Sequence, residues 1–229
     1  MAAGSGTRMG ADRPKQFLEL GGKMILRRTI ETIVSACPGT TVVTVLPEEH
    51  LGFWRDYCYR SGFICPQILV KGGITRFHSV KNALEKVPEG ALVAIHDGVR
   101  PLATAGLIQK LFEMAAKQGS AIPVLPCIDT MKVLQHKVWE DGSQTWSDIP
   151  GQKADRSILY GAQTPQVFHS EILKAAYGQA FDTEFTDDAS VVVKYGKSLS
   201  YMLGERLNMK ITTKEDLILA EAVLSIRES

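Results

Sequence analysis

Short β-branched runs alternate with amphipathic helical patterns along this chain, and that alternation restricts the fold more than any other feature. Residues 41–46 read TVVTVL and stop at Pro47. Ile68, Leu69 and Val70 form a second run, ending at Gly72-Gly73, and residues 91–95 form a third, ending at His96-Asp97-Gly98. Residues 121–124 read AIPV, a fourth run that Pro123 weakens as a strand. Continuous apolar runs this short fit strands buried on both faces, as in a parallel sheet. Between them, Ile25, Leu26, Ile30 and Ile33 mark a helical stripe, as do Val80, Ala83, Leu84 and Val87. Leu107, Ile108, Leu111, Phe112 and Ala115 mark another, with Thr104 placed to cap it. Near the end, Thr213-Lys214-Glu215-Asp216 introduces Leu217, Ile218, Ala220, Val223 and Leu224, a capped amphipathic helix. The expected class is α/β, with a mostly parallel sheet flanked by helices.

Residues 130–150, TMKVLQHKVWEDGSQTWSDIP, break this rhythm. Asp141-Gly142 is a hairpin-turn signal with Val138-Trp139 before it and Trp146 after it. The expectation is a hairpin projecting from the body, the alternative a long surface loop. An isolated hairpin is marginal in water, so its tryptophans call for a packing partner such as a second subunit.

The 229 residues suit one domain, 1–229, with this insertion at about 130–156. A net charge of +1 gives no bulk attraction to nucleic acid or to a membrane surface, and no apolar run reaches spanning length. Cys37, Cys58, Cys65 and Cys127 form no Cys-x-x-Cys pair, so reduced, mostly buried thiols in a cytoplasmic protein are expected. The first residues carry glycines where a secretory leader would be apolar.

Anion binding must then come from a local cluster, and the opening stretch, MAAGSGTRMGADRPKQFLEL, supplies one. Gly4, Gly6 and Gly10 fit neither the dinucleotide fingerprint nor the P-loop, because Met9 stands where the former needs its third glycine. Glycine lets backbone N–H groups approach a phosphate closely. Arg8 adds a planar fork and Lys15 a point charge, with Pro14 stiffening its approach. Asp97, at the carboxyl end of a buried run, stands where open α/β sheets bind ligands, and its carboxylate suits Mg²⁺. The competing reading is an Asp that caps the next turn. His96 beside it is equally consistent with a structural hydrogen bond.

AAGSGTRMG followed by PKQFLEL resembles the signature of nucleotidyltransferases that join a nucleoside triphosphate to a phosphorylated sugar or polyol. Further segments follow in order: GGITRFHSV (72–80), HDGVRP (96–101), DTMK (129–132), TPQVF (164–168), TDDAS (186–190) and NMKITTKEDL (208–217). Each is weak alone. The ordered set is similar to the 2-C-methyl-D-erythritol 4-phosphate cytidylyltransferase family. That resemblance implies transfer of a cytidylyl group from CTP to methylerythritol phosphate with Mg²⁺, releasing pyrophosphate in isoprenoid precursor synthesis. It implies a Rossmann-like sheet whose protruding β-arm interlocks with a second copy in a homodimer. By the matched motifs, Arg8 and Lys15 stabilise the α-phosphate as it reacts, and Ala2, Ala3 and Gly4 present backbone to base and phosphates. Gly73 and Ser79 read cytosine, Asp97 holds the metal, and Arg100, Thr164 and Lys210 face the polyol phosphate. Thr130 and Arg156 reach the neighbouring subunit's substrate, so that Arg156 and Lys210 clamp it.

The chain departs from the pattern in places. The family's loop follows a first strand, whereas Met1 stands directly before Ala2. A missing central strand is therefore expected to expose apolar edges. The arm is longer than a minimal one, and Ile74 replaces a polar residue. Rival readings are a ribitol-5-phosphate cytidylyltransferase, which shares the loop, HDxVRP and TPQ but is expected to vary at DTMK and TDDAS; a sugar-1-phosphate nucleotidyltransferase, normally longer; and a non-catalytic nucleotide-binding protein.

Overall fold

The structure, a computed structural model, describes residues 1–4 and 13–228. After a 3-10 turn at Lys15–Phe17 come β1 (Glu19–Leu20), β2 (Lys23–Met24), α1 (Ile25–Ala36), β3 (Val42–Leu46), α2 (Glu48–Arg60), β4 (Gln67–Lys71) and α3 (Arg76–Leu84). Then follow β5 (Leu92–Ile95), α4 (Ala105–Gln118), β6 (Ser120–Pro126), β7 (Leu134–Val138), β8 (Gln144–Asp148), β9 (Tyr160–Ala162) and β10 (Gln166–His169). The chain closes with α5 (Ser170–Ala176), α6 (Asp188–Lys194), β11 (Tyr201–Leu203) and α7 (Lys214–Glu228).

The expected α/β architecture is present. β3 pairs with β4 in parallel, and β6 with β11 in parallel. β10 lies antiparallel between β5 and β6, so β5 and β6 share one direction. Pro123 is tolerated inside β6 because it sits where the antiparallel neighbour changes from β10 to β9, a point needing no ladder donor.

Among the described residues, hydrogen bonds through residues 1 and 2 join the β3–β4 pair to the β5–β10–β6–β11 sheet. Ala2 N–H donates to Val45 O (3.0 Å), Met1 N to His96 O (2.6 Å), and Gly98 N–H to Met1 O (2.8 Å). Beyond that bridge, an apolar cavity of about 340 Å³ separates β3 from β5, lined by Leu26, Ile30, Val80 and Leu84 among others. It lies behind the polar site described below.

Helix ends follow the expected chemistry. Thr104 Oγ1 accepts the Leu107 N–H at 3.1 Å, and α4 stops at Gly119, whose φ of +87° a side chain would strain. Thr213 Oγ1 accepts the Asp216 N–H at 3.2 Å to start α7. Val87 lies past the end of α3.

The hairpin exists. β7 and β8 pair antiparallel about Gly142 (φ +81°), and Asp141 Oδ1 accepts from the Ser143 N–H and Oγ–H. Every residue of both strands is exposed. Trp146 stacks on His136 at 5.0 Å and Lys137 covers Trp139 at 3.5 Å. The cysteines correct the expectation of mostly buried thiols: all four are free but only half-buried.

Candidate active site

The polar constellation forms at the carboxyl ends of β3 and β5, because the chain turns sharply there. Gly72 and Gly98 flank the opening segment. A Cβ on Gly72 would lie 2.8 Å from the Ala3 Cβ, and one on Gly98 would lie 3.0 Å from the Ala2 Cβ. Both positions therefore require glycine, which the sequence motifs contained without indicating why.

Gln16, almost fully buried, ties the PKQ segment to this loop. Its Nε2 donates to Ala2 O at 2.8 Å and to Gly4 O at 3.4 Å. Lys15 is thereby held beside residues 2–4, half-buried at the start of the turn. Ala2 spends its N–H on Val45 and its carbonyl on Gln16, so it seats the loop, while Gly4 is exposed. Arg8 lies outside the described residues.

On the opposite side, Gly72 N–H donates to Leu46 O (2.8 Å) and Gly73 N–H to Ser79 Oγ (2.9 Å). Ser79 Oγ donates to Thr75 O at 3.0 Å. Ser79 is buried with its hydroxyl engaged, so it shapes the turn, whereas Gly73 is exposed.

Asp97 closes β5. Its Oδ2 lies 3.0 Å from Lys210 Nζ and 3.3 Å from Arg100 Nε. Burial alone would raise its pKa, but Lys210, then Arg76 and Arg100, outweigh burial and hold the carboxyl well below the usual range. Thr164, reached through a cis peptide to Pro165, accepts the Asp97 N–H at 3.0 Å and meets His96 Nδ1 at 3.0 Å. The hydroxyl therefore donates to Nδ1, and Nε2–H donates to Arg100 O at 3.2 Å. Burial depresses the His96 pKa to about 3. His96 is a neutral structural group with both nitrogens engaged, not a base.

Arg100 also donates to Asn208 O at 2.7 Å, and Asn208 Nδ2 donates to Thr164 O at 2.9 Å. Arg100 and Thr164 are therefore turned inward and build the Asp97 support, while Lys210, 43% exposed, fronts the site. Thr130 and Arg156 are exposed at the arm's base, where Arg156 Nη1 donates to Ile128 O at 2.8 Å. No bond among the described residues links them to Asp97. Sequence reasoning missed Gln16, Asn208 and the bidentate pair Arg76–Asp188 (2.9 and 2.5 Å).

Asp97 could take part in holding a divalent cation such as Mg²⁺. One charge-retaining carboxylate faces the site, and no cluster of three or more His, Cys, Asp or Glu occurs among the described residues. No helix among them is long and apolar enough to cross a membrane.

Comparison with known proteins bears on this geometry. A sequence model of the IspD family, 2-C-methyl-D-erythritol 4-phosphate cytidylyltransferase, matches residues 1–226. The chain is 42% identical over 224 residues to the enzyme of that name from Bacteroides thetaiotaomicron, covering 98% of this chain and 97% of the relative. It is 38% identical over 229 residues to the one from Microcystis aeruginosa, covering 99% and 97%. Among solved structures, the enzyme from Thermus thermophilus superposes with a TM-score of 0.71 at 30% identity, covering 98% of this chain and 96% of the other. The 4-diphosphocytidyl-2C-methyl-D-erythritol synthase from Anaerococcus prevotii gives 0.76 at 27%, covering 98% and 95%.

Proposed function

The chain belongs to the 2-C-methyl-D-erythritol 4-phosphate cytidylyltransferase family, and from that membership and the site we propose that it transfers the cytidylyl group of CTP to 2-C-methyl-D-erythritol 4-phosphate. One observation carries the reading: Gly72 and Gly98 pack closely on Ala3 and Ala2, Gln16 ties the segment of Lys15 to those same residues, and Gly98 adjoins a buried Asp97 fronted by Lys210.

A phosphate oxygen of the acceptor attacks the α-phosphorus of CTP. A new P–O bond forms, the bond to the β-phosphate oxygen breaks, and pyrophosphate leaves. The attacking group is already an anion, so no general base is needed, in keeping with a neutral His96. Lys15, with Arg8, neutralises charge growing on the α-phosphate. Gly73 and the turn built by Ser79 face the base, and Ala3 and Gly4 lie along the phosphates. Lys210 receives the acceptor's phosphate. Asp97 would hold Mg²⁺, which when bound would supply charge neutralisation on the phosphates. Arg100 and Thr164 fix the position of that carboxylate.

The chain acts as one nucleotidyltransferase domain, and its β7–β8 arm joins a second copy as a homodimer. The exposed Trp139 and Trp146 support that, since a hairpin paired only with itself is marginal. Thr130 and Arg156 then serve the partner's site. The location is cytoplasmic, consistent with four free thiols. Pyrophosphate release with CTP and Mg²⁺ tests the acceptor. Release with methylerythritol phosphate but not ribitol 5-phosphate is expected; release with ribitol 5-phosphate alone would move the activity to polyol activation.

A further inference from the structure

Asp188 is fully buried and receives three donors. Arg76 Nη1 and Nη2 lie 2.9 and 2.5 Å from its two oxygens, and the Tyr177 hydroxyl lies 2.6 Å from Oδ1. A buried ion pair is weak evidence for stability, because an apolar replacement often does as well. What a two-point fork does provide is orientation.

The fork joins two elements. Arg76 is the first residue of α3, and Ser79, which holds the Gly73 N–H, lies one turn further on. The turn is pressed onto that helix: a Cβ on Gly73 would lie 2.4 Å from the His78 Cβ. Any shift of α3 therefore shifts the turn. Asp188 opens α6, and α6 is bound in turn to β10. Gln166 Nε2 donates to Asp187 Oδ2 at 2.7 Å, and Ala189 N–H donates to Gln166 Oε1 at 2.9 Å. Two residues before Gln166, Thr164 takes the Asp97 N–H. Charge-assisted and backbone bonds thus connect the 72–79 turn to the Asp97 carboxylate through the TPQ and TDDAS segments, whose acidic and amide side chains the reaction itself does not use.

We propose that Arg76 and Asp188 are positioning residues for nucleobase selection, fixing α3 so that the Gly73 turn meets the pyrimidine edge in one register. This rests on the reading that the turn faces the base. Cytosine and uracil differ by exchange of an amino donor for a carbonyl acceptor, and a backbone turn distinguishes them only if it is held in place.

The test is steady-state kinetics with CTP and UTP at saturating acceptor on Arg76→Lys, which keeps the charge without the fork, and Asp188→Asn, which keeps the shape. Ser79→Ala is the companion. Loss of positioning should raise KM for CTP about tenfold and narrow the CTP/UTP preference, with kcat for CTP within about twofold. A lower melting temperature with unchanged KM and preference in both variants would reduce the pair to a structural role and overturn the proposal. A fall in kcat alone would also overturn it, assigning Arg76 to charge balance at Asp97. If Ser79→Ala narrows the preference while the other two do not, only this inference fails. If none of the three does, the base-facing reading fails with it.

Discussion

Lys210 Nζ sits 3.0 Å from Asp97 Oδ2, and the pair stands at the mouth of the site with Arg100 behind it. Lys210, Arg76 and Arg100 favour the charged form of Asp97 against burial and partly balance that charge. Asp97→Asn should lower kcat by at least about a hundredfold and raise the Mg²⁺ concentration needed for half-maximal rate. Rates measured across a Mg²⁺ titration check this; an unchanged titration would remove Asp97 from the metal.

Lys210→Ala should act on the acceptor. Losing one charge-assisted contact to its phosphate should raise KM for the polyol phosphate about tenfold, with KM for CTP little changed. The reverse pattern would place Lys210 on the nucleotide.

The arm predicts complementation between subunits. Lys15→Ala and Arg156→Ala homodimers should each be slow, because one damages its own site and the other its partner's. Heterodimers isolated with two affinity tags should recover part of the activity. No recovery in a proven heterodimer would return Arg156 to its own subunit.

Close packing at the loop makes a stability prediction. Gly72→Ala places a methyl 2.8 Å from the Ala3 Cβ and 3.4 Å from Leu46 O. Overpacking of this kind costs about 1–3 kcal/mol. Thermal unfolding should shift down by several degrees, at about 2–4 °C per kcal/mol for a chain of this size.

Glu31 gives a pH-dependent test. Burial would raise its pKa, but hydrogen bonds from Lys23 and Arg27 outweigh burial and lower it. A depressed carboxyl contributes stability above its ordinary pKa and loses it as pH falls through the folded value. Glu31→Gln should therefore cost less than about 1 kcal/mol at neutral pH, since the pair is partly exposed. The difference from the unsubstituted chain should vanish in acid below the ordinary glutamate range. A difference that persists there would mean packing rather than charge.

Much of this was legible in the sequence wherever a local rule applies. Thr104 and Thr213 cap because hydroxyls satisfy orphan helix N–H groups, and Asp141-Gly142 turns because glycine takes φ +81°. The motifs name residue types without saying what each side chain touches. Ser79, Arg100 and Thr164 lie in the matched motifs, yet their side chains are spent on Gly73, Asp97 and His96. Nothing along the chain says whether a hydroxyl faces a ligand or the interior. Asp188 and Arg76 are 112 positions apart, and their pairing exists only once α3 and α6 pack. β9, β10 and β11 carry three or four residues each, too few for any periodicity to show.

The most direct test of the proposed reaction follows the label in CTP carrying a radioactive α-phosphate, incubated with methylerythritol phosphate and Mg²⁺. The label is expected to move into a cytidine-linked polyol, one per pyrophosphate released. Label retained in CTP or CDP, or absence of any polyol product from folded protein, would contradict that reaction.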